Sequence, residues 1–278
     1  MVDAREAALN LLKWYRDAGV DEAIGEAPCD WSRLGGPAAL TFEAEEEEVF
    51  AAPRREAPSL PPQPVAHAQP SAPLDAAGLS AREIARAAPD LASLEAALAG
   101  FEGCPLKKTA KHLCFARGNP NARLMLIGEA PGRDEDLDGR PFVGRAGRLL
   151  DKMLAAIGLT EADAYITNVV YWRPPGNRTP TPQEVEACKP FLERQIELIA
   201  PAVLVLLGGA AAKQMLGTDE GIMKLRGKWR SYPSAGGAIK TIATLHPAFL
   251  LRTPAAKRQA WRDLLMIKAA LDERQVSP

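Results

Sequence analysis

The chain of 278 residues has few of the residues that staple or ligate. Its four cysteines, Cys29, Cys104, Cys114 and Cys188, are scattered and contain no C-x-x-C pair. That pattern excludes a disulfide framework in a reducing compartment and offers no zinc spacing. Only three histidines occur, and His67 stands in a proline-rich stretch. No apolar run approaches the ~20 residues of a membrane span. The N-terminus, MVDAREAALNLLKWYRDAG, has early acidic residues and no uninterrupted apolar core, so it does not read as a secretory signal. The expectation is a cytoplasmic protein with no membrane partner. A phosphate-loop lysine and a G-x-G-x-x-G after a strand are also missing, which counts against a nucleotide-binding enzyme.

Net charge is −1, but it is unevenly distributed. Residues 1–100 carry 8 Lys and Arg against 17 Asp and Glu, a net of −9. Residues 101–278 carry 26 against 18, a net of +8. The C-terminal part therefore attracts phosphates and the N-terminal part repels them.

Composition divides the chain into three. Residues 1–42 contain a short amphipathic helix over 4–17, with Ala7, Ala8, Leu11, Leu12 and Tyr15 at helical spacing and Trp14 available either to dock or to pack. Residues 43–78 combine an acidic run, Glu43 and Glu45 to Glu48, with seven prolines from Pro53 to Pro73. Such a segment buries too little apolar surface to offset its ordering entropy and reads as a disordered linker. From 79 onward, Ser80 and Glu83 form a capping-box pattern for one helix, and a second covers about 91–101. Apolar strand candidates then follow at Leu124–Ile127, Tyr165–Val170, Val203–Leu207 and Ile239–Leu245, with helical stretches at 144–157, 182–199 and 209–216 between them. The alternation predicts an α/β fold: a three-layer α/β/α sandwich around a central four-stranded parallel sheet, preceded by a helical and disordered extension.

Sites in such folds form at the carboxyl ends of strands. Four segments share that rim: Gly128–Gly132, Asn168, Gly208–Gly209 and His246–Pro247. Glu129 and Ala130 follow the first strand, held by Gly128, Pro131 and Gly132, so a carboxylate stands where it can orient or deprotonate water. A helix beginning near Arg145 offers an N-terminus to phosphate. Asn168 presents a donor and an acceptor to a base edge, although a turn-forming Asn fits equally. The rigid basic loop Arg173–Pro180 includes Asn177 and Arg178. His246 follows the last strand, and Phe249, Leu250 and Leu251 make an apolar finger beside Arg252, Lys257 and Arg258. Apolar side chains among cations suit wedging into stacked bases, and ordinary helix packing is the alternative.

Three segments, GEAPGRDEDLDGRPFVGRAGRLLD, ITNVVYWRPPGNRTPTPQEVEACKPFLERQIELI and LHPAFLLRTPAAKRQAWRDL, resemble the family-four uracil-DNA glycosylases in order and spacing over roughly 101–270. The resemblance implies an enzyme that flips deoxyuridine out of DNA, because the glycosidic bond is unreachable inside the stack. By that resemblance, Glu129 positions water, Phe142 stacks on uracil, Asn168 reads its polar edge and His246 donates to O2. Glu135 lies beside the C5 position, and Asn177 meets the pocket or the DNA backbone. The implied activity is monofunctional excision that leaves an abasic site, by a monomer whose N-terminal segment recruits a repair or replication protein. The alternative is a non-catalytic or product-holding abasic-site binder. A related covalent branch uses a His-bearing basic insert, and Leu225–Arg230 is basic without a His.

One feature departs from the family. Its four-iron, four-sulfur cluster has four cysteine ligands, and the matching positions here are Phe101, Cys104, Trp172 and Cys188. Cluster ligation uses thiolates. The expectation is therefore no cofactor, with Phe101 and Trp172 as packing and Cys29 and Cys114 as spare thiols.

Overall fold

A computed structural model describes residues 74–273. The helix expected at 4–17, the acidic run, the prolines from Pro53 to Pro73, Cys29 and His67 lie outside the described residues.

The parallel sheet comes from runs with no polar alternation. Strands β2 (Leu124–Gly128), β3 (Ala164–Asn168) and β4 (Val203–Leu207) are buried at every position. Strands covered on both faces need continuous apolar sequence. Together with β6 (Gly237–Thr244) they pair in parallel. Two antiparallel edge strands, β1 (Arg117–Gly118) and β5 (Trp229–Ser234), extend the sheet to six in the order β1-β3-β2-β4-β6-β5. The four expected strands thus form the centre of a wider sheet.

Alternate strand residues feed two cores. Met125, Ile127, Leu204 and Leu206 point to one layer, with α1 (Leu74–Ala87), α2 (Leu91–Gly100), α5 (Pro182–Ile199) and α6 (Gly209–Leu216). Leu124, Leu126, Val203 and Val205 point to the other, with α4 (Arg145–Ala156), α8 (Pro247–Arg252) and α9 (Lys257–Glu273). Two short helices, α3 (Arg133–Asp138) and α7 (Ile222–Leu225), complete the α-helices of the described residues. The expected start at Ser80 is corrected: α1 already runs from Leu74, so Ser80 lies inside it. The cap that the structure does supply is at α2, where the Asp90 carboxylate accepts from Ser93 N–H at 2.7 Å.

Among the described residues, no helix is long and apolar enough to cross a membrane.

A buried ion pair fixes the last strand to the last helix. Asp263 is 1% exposed and accepts from Thr244 Oγ1 at 2.7 Å and from Arg226 Nη2 at 2.6 Å. Arg226 also donates to the Gln259 carbonyl. Thr244 stands two residues before His246, so this network braces the strand end that carries the histidine. Asp263→Ala should cost about 3 kcal/mol, the usual result of leaving one member of a buried pair alone. Denaturant unfolding checks it, and an unchanged midpoint would remove the network from the account.

Candidate active site

Sheet order reverses beside β2, whose neighbours β3 and β4 leave it on opposite sides. A crevice at such a switch point lies beyond the carboxyl ends of the strands. A cavity of about 440 Å³ opens there, lined by Glu129, Phe142, Asn168, Gly208 and His246 among others. The four rim segments expected from sequence therefore meet around one hollow. A second concavity, of about 590 Å³, lies elsewhere, between α5, the end of α6 and β5.

Two glycines make that convergence possible. A Cβ on Gly128 would overlap both Asn168 Oδ1 and the Phe142 ring, so only glycine lets these two groups close over the tip of β2. Gly208 has φ +92°, and a Cβ there would come within 2.9 Å of His246 Cβ. Phe142 itself has φ +56°, an uncommon conformation for a bulky residue. Its backbone lies against Gly147 of α4, where a Cβ could not fit. The loop is thus held so that the aromatic ring faces inward, 5.6 Å from the His246 ring.

Asn168 is 1% exposed, and its Oδ1 accepts no hydrogen bond from the described residues. Buried acceptors are nearly always satisfied, so an orphan in a cavity wall marks a place for a ligand donor.

His246 caps α8 through its side chain. Its Nδ1 accepts from the Ala248 N–H at 3.1 Å, which leaves the proton on Nε2. Burial, aided by the positive charge of Arg252, pushes its pKa down to about 4. The ring is therefore neutral near pH 7, and its Nε2–H is available as a donor.

The other expected residues are distributed as follows. Glu129 and Ala130 line the cavity directly after β2. Glu135 also lines it, but both its oxygens are engaged: Oε2 accepts from Gly132 N–H at 3.1 Å and Oε1 from Gly144 N–H at 2.9 Å. It ties together the two loops that frame the cavity. Asn177 reaches the rim with φ +55°, and its Oδ1 accepts from Arg173 Nε at 2.7 Å. Arg178 forks onto Glu184 at 2.6 and 2.8 Å, and the guanidinium holds that carboxyl below its usual range. Arg145 is exposed at the start of α4, and Arg252 at the end of α8. Leu250 requires correction: it is 1% exposed and belongs to the core beneath α8, while Leu251, one residue on, is 37% exposed. Successive helix positions are turned by about 100° (3.6 residues per turn), which here directs Leu250 to the core and Leu251 outward. Of the basic segment Leu225–Arg230, Arg226 is tied to Asp263 and Arg230 to Glu220. Sequence reasoning missed the Ala248 amide and the effect of Arg252 on the histidine. The His-Pro step after a strand, which reads as a helix N-cap followed by proline, was the available signal.

A family model described as the uracil DNA glycosylase superfamily matches residues 115–265. The chain belongs to this superfamily. Its relatives include type-4 and type-5 enzymes. The type-4 uracil-DNA glycosylase of Archaeoglobus fulgidus is 44% identical over 176 residues, covering 62% of this chain and 88% of the relative. That of Thermotoga maritima is 46% identical, covering 54% and 77%. A type-5 uracil-DNA glycosylase of Thermus thermophilus is 32% identical, covering 43% and 62%.

This kinship corrects the expectation of no cofactor, because the type-4 glycosylases are iron–sulfur enzymes. At the ligand positions named above, the glycosylase chain holds two thiols and two aromatics. Cys104 and Cys188 are buried with their sulfurs 3.7 Å apart. Phe101 packs on Phe191 with ring centroids 5.1 Å apart, and Trp172 is buried. Cys114 donates to the Glu135 carbonyl instead. Among the described residues no group of three or more His, Cys, Asp or Glu could hold a metal. These four side chains, two thiols and two aromatics, do not form a four-thiolate cage.

Proposed function

We propose that this cavity hydrolyses the N-glycosidic bond of a deoxyuridine flipped out of DNA, releasing uracil and leaving an abasic site. The orphan Oδ1 of Asn168 in a wall shared with a neutral His246 carries the reading. Uracil has one donor, N3–H, between two acceptors, O2 and O4. Asn168 Oδ1 accepts from N3–H while its amide donates to O4, and the Phe142 ring stacks on the base. Cytosine fails because its N3 lone pair and N4 amino group reverse both polarities.

Bond cleavage sends the electron pair to uracil and leaves an oxocarbenium-like sugar. The His246 Nε2–H lies on the O2 side and stabilises the anion as it forms. Glu129 opposes the cationic sugar and orients the water that adds at C1′. Glu135 and Asn177 shape the cavity mouth, and Arg145, Leu251 and Arg252 meet the DNA around the extruded nucleotide. In this reading the enzyme is a cytoplasmic monomer, its glycosylase domain includes α1 from Leu74 onward, and the acidic, proline-rich residues before it serve a repair or replication partner.

Incubation with matched oligonucleotides carrying one uracil, cytosine or thymine tests the proposal. Strand breakage on alkali treatment of the uracil substrate alone is the expected result. Tight binding to uracil DNA without breakage would overturn it.

A further inference from the structure

We infer that the outer face of α9 is a second DNA contact, a platform on which a base outside the pocket stacks. Resting on the DNA-repair reading above, this extends it to the strand that flanks the excised nucleotide. Arg258, Trp261, Arg262 and Leu265 are exposed and stand at i, i+3, i+4 and i+7, one stripe of the helix. The opposite stripe, with Ala260, Leu264, Ile267 and Leu271, is buried in the core. Trp261 is 42% exposed and Leu265 47%.

Packing already satisfies α9 on its inner side, so it does not account for an aromatic ring left in solvent between two arginines. Neither Arg258 nor Arg262 is paired with a carboxylate among the described residues. The one acid in the first three turns, Asp263, is buried and committed to Arg226. The stripe therefore presents a part-exposed indole between two arginines that no described carboxylate pairs, side chains of the kind that hold a nucleobase and the phosphates on either side of it.

Its position favours DNA as the occupant. Helix α8 brings Arg252 to the cavity mouth, and a short 3-10 turn, Pro254–Ala256, leads straight into α9. That turn rises about 2 Å per residue, so Arg258 lies on the order of 10 Å from Arg252. A strand whose nucleotide occupies the cavity and that continues past Arg252 runs toward the start of α9, where Trp261 stands one turn beyond Arg258. The stacked base must be unpaired, which makes single-stranded flanks the ligand.

The probe is an oligonucleotide with a non-hydrolysable tetrahydrofuran abasic site, either in blunt duplex or with a single-stranded flank of six nucleotides on the 5′ or the 3′ side. For one of the two flanked probes, the Kd of Trp261→Ala should rise about tenfold more than for the blunt duplex, the effect expected for losing one base–aromatic stack. Trp261→Phe should recover most of that loss. Arg258→Gln and Arg262→Gln should each lower the salt slope of flanked binding by about one. Equal losses on blunt and flanked probes, or none, would refute the platform and leave this face to a protein partner or to the fold. Uracil excision by the wild type is scored separately, so the platform and the excision reading can fail independently.

Discussion

Asn168→Ala should lower kcat/KM for uracil excision by about a thousandfold, since it removes both polar contacts to the base in a desolvated wall and such contacts govern discrimination between bases. Oδ1 of Asn168 accepts no hydrogen bond from the described residues, so the fold gains little from it. Activity and stability should therefore separate: the thermal midpoint should stay near the wild-type value while excision collapses. A parallel fall of both would mean that Asn168 acts by holding β3, not by reading uracil. Selectivity is the finer readout. The residual activity of the variant should prefer uracil over cytosine far less than the wild type does, because stacking on Phe142 is indifferent to edge polarity.

Asn168 also illustrates what the sequence makes legible. It ends an apolar run that is buried at every position, and a fully buried parallel strand writes itself as a continuous hydrophobic word. The same holds for Val203–Leu207, whose expected and observed bounds coincide. Edge strands carry no such signature. Strand β1 is two residues long, and β5, Trp229–Ser234, is polar and includes Pro233, which is tolerated only where a backbone N–H is not needed. Rim residues were recognisable because they follow strands. Their partners were not, because pairing is tertiary: Arg178 reads as a free cation until Glu184 is found beside it, and Leu250 and Leu251 read alike until the helix turns one of them inward. The missing cysteines taught a different lesson. The resemblance told which side chains stand at the ligand positions and what the family carries there, and the inference of no cofactor went beyond those residues.

Removal of the histidine donor is the second large effect. His246→Ala should reduce kcat by a few hundredfold, the usual cost of one donor to a developing oxyanion, with a smaller change in substrate affinity. The acid limb then tests the protonation state. An ordinary histidine loses its neutral form near pH 6.5. His246 is held down to about 4 by burial and by Arg252. If the neutral ring is the donor, kcat stays level as pH falls from 7 toward 5 and declines only as pH approaches 4, where a second proton on Nδ1 would break the bond from Ala248 N–H. Rates that climb as pH drops through 4 would identify the imidazolium as the active form instead. Arg252→Gln removes the charge that opposes protonation and should move the acid limb upward. Stability follows the same linkage: the unfolded chain binds the proton near 6.5 and the folded chain only near 4, so the histidine's contribution is complete above the first value and is lost through that window as pH falls. Circular dichroism across the range therefore has to accompany the rate profile, because a limb caused by unfolding would appear in both, and one caused by the donor would appear in the rate alone.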